Sequence, residues 1–350
     1  MSDTEDAVYR TPDGREVRCR ITPERDLPPS APNVPLTRQL VRVETADEES
    51  VLLRLAVGHA GSARDRGRAF TQLDDAILAG VRIARCARGV HPPEITRLVG
   101  HHDDPVTPFA LVQPHTGQPI GELLGRRQLF DEERAAFRDG LLNALSWLSA
   151  AEVVHRDLRP GTVLWDPERR TVQVCDLTSA TVVGVPRAVA GTPPWASPEQ
   201  REGTGWCDPR DDVWSAGLLL FQVLTGHDVE AEARLPLEDF GSLAAELGGV
   251  FEYRAELRPS ADDLLERFTG RAPRRRPVDT ELSAGHRAFD ERLRRRRAAA
   301  ETDPGGRMSP DWLIAPEPDP PPARRYWVLG AVAGVALVVV LVALTFFLGG

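Results

Sequence analysis

The sequence predicts an α+β fold of two lobes, a small sheet-rich one followed by a larger helical one, and three observations carry that prediction. The alternation in QLVRVET and the apolar run SVLLRLAV read as two paired strands. Phe70, Leu73, Ile77 and Val81 then recur at helical spacing. After Glu122 the chain becomes mostly helical, with Phe137, Leu141, Ala144, Leu145 and Leu148 on one apolar face. Ligands favour the cleft between two such lobes.

Composition sets the outer bounds. With 350 residues, 41% hydrophobic and 27% charged, the chain buries one large core or two modest ones and is not a disordered protein. A formal charge of −9 argues against nucleic acid as the main partner, because phosphate backbones reward a basic surface. Cys19, Cys86, Cys175 and Cys207 are far apart and form no CxxC pair, which fits reduced thiols rather than a disulfide frame or a zinc site. No lysine occurs, so all 43 basic residues are arginine. An enzyme that depends on one lysine would be expected to retain that one.

Taken in order, residues 1–36 read as an N-terminal extension, acidic at the start and without a signal peptide. Residues 37–298 form the domain, with the small lobe to about 112 and the large lobe from about 118. The stretch RAFDERLRRRR near its end either lies against anionic lipid or is a solvated helix face. Residues 299–326 are a proline-rich juxtamembrane linker, extended and semi-rigid. Residues 327–348 are uncharged and, at ~1.5 Å per residue, long enough for a ~30 Å hydrocarbon core. Arg324 and Arg325 on the near side predict a single-pass cell-membrane span with the N-terminal domain cytoplasmic and the C-terminus at the far side. Gly330 and Gly334 give a GxxxG spacing, common in glycine-rich apolar helices, so a homodimer is not the favoured reading.

Ordered motifs follow in the large lobe: HRDLRPGTVL, VCDLTSA, GTPPWASPEQ, DDVWSAGLLLFQVLTG and RAPRRRP. Together they resemble the bacterial serine/threonine protein kinase family, whose patterns include HRDLKPxNVL, GTxxYxSPE and DxWSxG. The resemblance implies a two-lobed protein-kinase-like fold with ATP and Mg²⁺ as cofactors and proteins as substrates or partners. It implies that Asp157 accepts the substrate hydroxyl proton, that Arg159 replaces the loop lysine, and that Thr162 stands where the metal-binding asparagine belongs. Asp176 takes the place of the Mg²⁺-binding aspartate. In the hinge FALVQPHTGQP, Gln113 and His115 would supply the adenine contacts, although an ordinary loop is an equal reading. Arg276 would pair with Glu199, and a phosphorylated activation segment could pair with Arg156.

Departures from the pattern are as informative. The strand lysine that grips phosphate is absent, its place in VLLRL taken by Arg54, and its glutamate partner aligns with Ala76, although Asp74 or Asp75 could reach. No glycine occurs from Pro35 to Glu49, so a glycine-rich loop is missing. The favoured expectation is therefore a membrane-anchored pseudokinase, or weakly active kinase, with a regulatory or scaffolding role. The alternative is an active ATP-dependent serine/threonine kinase using Arg54 and Arg159 on phosphate. A small-molecule phosphotransferase ranks behind both, and an adaptor without a nucleotide site differs from the first only in whether ATP binds.

Overall fold

A computed structural model describes residues 4–29, 36–58, 62–229 and 235–270. The predicted linker, the apolar run from Trp327 to Leu348 and Arg276 lie outside the described residues. Among the described residues, no helix is long and apolar enough to cross a membrane.

Six strands close the small lobe into a barrel: β1 (Glu5–Arg10), β2 (Glu16–Leu27), β3 (Leu36–Glu44), β4 (Glu49–Val57), β5 (Leu98–His102) and β6 (Phe109–Val112), in the order β1-β2-β3-β4-β6-β5. The predicted strand pair is β3 with β4, Val41 opposite Leu52 and Leu40 opposite Leu53. The boundary at residue 36 is corrected, because the region read as an extension supplies β1 and β2. β2 pairs along β3 from Arg20 opposite Glu44 to Leu27 opposite Arg38, and β1 closes the ring where Arg10 meets His101. Tyr9, Cys19 and Ile21 from these two strands share a buried cluster with Val41, Val43, Leu52, Phe109 and Leu111. Gly100 permits the closure, since a Cβ there would sit 2.2 Å from the Tyr9 ring.

Helix α1 (Ala63–Cys86) begins with a reciprocal cap, in which the Asp65 N–H donates to the Ser62 hydroxyl at 3.2 Å and the Ser62 N–H donates to the Asp65 carboxylate at 3.0 Å. It carries two apolar stripes. Ala69, Leu73, Ile77 and Val81 pack with Leu53, Leu98 and Val112 of the barrel, whereas Ala76, Ala79, Ile83 and Cys86 join the large-lobe core. Buried Arg82 fastens the helix below, donating to the Ala151 carbonyl at 2.8 Å and pairing with Glu152 at 2.6 Å.

The large lobe runs through β7 (Gln118–Pro119), α2 (Ile120–Leu124), α3 (Asp131–Ala150), β8 (Val153–Val154), β9 (Val163–Asp166), β10 (Thr171–Val174) and β11 (Thr181–Val182). Helices α4 (Pro198–Glu202), α5 (Arg210–Thr225), α6 (Gly241–Glu246) and α7 (Ala261–Thr269) complete it. The predicted face of α3, from Phe137 to Leu148, packs in one core with Val213, Leu219, Leu220 and Leu264. All four cysteines are free and buried.

Candidate active site

The loop between β8 and β9 is set by a buried carboxylate. Asp212 on α5 accepts the N–H of His155 at 2.6 Å and of Arg156 at 2.9 Å, and burial pushes its carboxyl up to about 6. These bonds hold Arg156 in the left-handed region, φ 69°. Next in the chain, Asp157 has both carboxylate oxygens engaged. One accepts from Arg159 Nε at 3.1 Å, and the other accepts from the Thr192 hydroxyl at 2.7 Å.

Thr162 is 1% exposed, and its hydroxyl is spent inside the loop. It donates to the Asp157 carbonyl at 2.7 Å and accepts from the Arg159 N–H at 3.1 Å. Beside this loop, where the Cys175 N–H donates to the Thr162 carbonyl at 2.9 Å, Asp176 sits at φ 66° and accepts from the Thr178 hydroxyl at 2.5 Å. Among the described residues, no three His, Cys, Asp or Glu side chains gather where they could hold a metal ion. Asp176 therefore stands outside any such cluster, with a hydroxyl on its carboxylate, where a hard cation would take six or more oxygens, water included.

The cleft wall corrects the expectation for Arg54. Side chains alternate along a strand, and on β4 Leu53 and Leu55 face the cavity while Arg54 faces away. Arg54 pairs with Glu5 at 2.6 Å and lies over the Phe109 ring at 4.6 Å, on the opposite side of the barrel wall. A one-residue shift in strand register exchanges the two faces, which is how the alignment on VLLRL misplaced the cation. The cation that does line the cavity is Arg38 on β3, together with Asp176, Thr178 and His115. Ala76 also lines it, and neither Asp74 nor Asp75 does. Gln113 is exposed outside it, its N–H donating to the Arg97 carbonyl at 2.9 Å. His115 instead presents its ring to the cavity, and burial pushes its pKa down to about 4. The cavity is about 40 Å³, with Leu36, Leu53, Leu55 and Leu177 in its walls.

The activation segment is pinned without any added charge. Buried Arg187 forms a double contact with Asp211, 2.9 and 2.8 Å, and donates to the Thr204 carbonyl at 2.8 Å. Arg156 donates to the Ala188 carbonyl at 3.2 Å. Ser197 is buried as the cap of α4 and Thr178 is buried on Asp176, so these two hydroxyls are already in use. Arg276 lies outside the described residues; among those described, Glu199 is paired with Arg258, at 2.6 Å, and accepts the Ala255 N–H at 2.6 Å. Arg258 opens RPSADDLLE, where Ser260 caps α7. That capping pattern was readable in the sequence and marks the arginine before it as sitting at a fixed helix entry.

The structure thus gathers Asp157, Arg159 and Thr162 in one loop, brings His115 and Asp176 to one cavity wall, and separates Arg54 and Gln113 from it. The protein kinase domain family model matches residues 70–284, more than half of the chain, beginning within α1. Among curated proteins, the chain is 30% identical to a serine/threonine-protein kinase (pkn3) of Myxococcus xanthus over 229 residues, covering 59% of this chain and 40% of that protein. It is 31% identical to the serine/threonine-protein kinase PksC of Streptomyces coelicolor over 193 residues, covering 50% and 33%. Against the CBL-interacting protein kinase 24 of Oryza sativa it is 27% identical over 192 residues, covering 53% and 41%. The chain spans less than half the length of these relatives. With the loop, the buried aspartate beneath it and the capped SPE helix in their order, and with the family model spanning both sides of the cleft, the chain belongs to the protein kinase family.

Proposed function

We propose that this chain is a pseudokinase, a protein-kinase fold that works by binding protein partners as a regulator or scaffold. Protein kinases generally use ATP with Mg²⁺. The residues of this cleft do not fit that pair in the family's manner. A leucine, Leu55, stands on the cavity face of β4, the Thr162 hydroxyl is turned into its own loop, and Asp176 belongs to no cluster of three His, Cys, Asp or Glu side chains among the described residues. The observation that carries the reading is the volume: about 40 Å³ holds a few waters, against roughly 300–1,000 Å³ for ligand pockets. The apolar run Trp327 to Leu348 supports tethering at a membrane with the kinase-like domain cytoplasmic.

One observation favours a second reading, an active serine/threonine kinase. Arg38 and Asp176 line the same cavity, so a cation and a carboxylate face each other's space there, and Asp157 is held by Arg159. Thermal melting of the full chain with millimolar ATP, with and without Mg²⁺, separates the two. The proposed reading, in which this cleft does not take ATP with Mg²⁺, expects no shift and so joins the pseudokinase to the adaptor without a nucleotide site. A Mg²⁺-dependent shift that disappears in Asp176→Ala and Arg38→Ala, joined by phosphate transfer that disappears in Asp157→Ala, would replace it with the second.

A further inference from the structure

A second cavity of about 510 Å³ lies between the β1–β2 turn, the end of α1 and the entry to β5. Its charge is opposite to that of the whole chain. Arg15, Arg85, Arg88 and Arg97 line it against one carboxylate, Asp13. Asp13 is engaged in its own turn, where the Thr11 hydroxyl donates to it and keeps its pKa below the usual carboxylate range. Arg15, Arg88 and Arg97 are exposed and form no ion pair with any acid among the described residues. The C-terminal end of α1 contributes only about half a negative charge, which Arg15, Arg88 and Arg97 outweigh. In the wall, His91 Nε2 donates to the Ile95 carbonyl at 2.9 Å, while its buried Nδ1 has no partner among the described residues.

We infer that this cavity binds a phosphorylated serine or threonine side chain on a segment of a partner protein. A phosphate monoester carries about −1.5 to −2 charge and three strong acceptor oxygens, and arginine forks match it in both charge and geometry. The volume is more than ten times that of the cleft, enough to take the phosphorylated side chain with its flanking backbone. The inference rests on family membership only for the availability of phosphorylated partners and is independent of whether the cleft retains catalysis.

The test uses the full chain and a short fluorescent glycine-alanine peptide with one central phosphothreonine, read by anisotropy. The expected result is binding at least about tenfold tighter than that of the unphosphorylated twin, with a further loss of about tenfold in each of Arg88→Ala and Arg97→Ala. Both side chains are exposed, so unchanged melting temperatures should accompany the loss. Equal binding of the twin, or binding unaffected by both variants, overturns the proposal. Displacement of the peptide by an equal concentration of inorganic phosphate would overturn it too, by assigning the cavity to a free anion.

Discussion

Arg187 of the activation segment and Asp211 of α5 meet as a buried double-contact pair, side chains 4% and 0% exposed. The segment is therefore fastened by a charge already in the sequence rather than by one added later. Removing the Arg187 guanidinium leaves buried Asp211 with only the Asp208 N–H at 3.2 Å and, at 3.9 Å, Arg258, which is already paired with Glu199; breaking a buried pair costs about 3–5 kcal/mol. Arg187→Ala should lower stability by that amount in denaturant unfolding and open residues 183–190 to protease. Arg187→Leu with Asp211→Asn should recover most of the loss, because no buried charge then lacks a partner.

Thr162 is legible as a missing metal ligand but acts as the internal strut of its loop. Thr162→Val keeps the shape and deletes one donor and one acceptor, so a cost of about 1–3 kcal/mol is expected from chemical unfolding. Thr162→Ser retains the hydroxyl and should lose less.

His115 gives a pH dependence with a definite sign. Its folded pKa is pushed down to about 4 by burial, with Arg38 adding to the shift and Asp176 opposing it, against about 6.5 in an unfolded chain. Between those values the unfolded chain takes up a proton that the folded one refuses. Stability is thus fully present above pH 6.5 and falls as pH drops toward 4, by roughly 3 kcal/mol in total. His91, also lowered by burial, acts in the same direction. Unfolding curves at pH 7 and pH 4.5 for the wild type and for His115→Phe isolate the contribution, which the variant should lack.

Arg54 tests the face assignment on β4. Its partner Glu5 is half-exposed, so Arg54→Ala should cost about 1 kcal/mol or less. Any nucleotide response measured in the wild type should be unchanged in that variant. Loss of such a response in Arg54→Ala but not in Arg38→Ala would put the cation back in the cleft.

Much of this architecture was readable from period and motif. The β3–β4 pair, helix α1 and the face of α3 follow from apolar spacing, because burial on one side imposes that spacing. Strands β1 and β2 did not stand out: their 18 residues carry nine charged side chains, and only Tyr9, Cys19 and Ile21 are well buried, so the pattern is too sparse to register. Within the site, Asp157, Arg159, Thr162 and Asp176 were placed by contiguous motifs. Arg54 was misplaced because face depends on parity, and one residue of misalignment inverts it. Arg258 and Arg38 went unnoticed because their partners are distant in sequence and only the folded chain brings them near.

The ring closure between β1 and β5 bears on how partners attach. An open sheet offers a row of unpaired amides and carbonyls at its edge, onto which another chain can add a strand. Here Arg10 opposite His101 joins first strand to last, and Gly100 under Tyr9 lets them meet. The small lobe has therefore traded backbone augmentation for recognition by side chains, and whatever docks on it must read its arginines and apolar surface rather than extend its ladder.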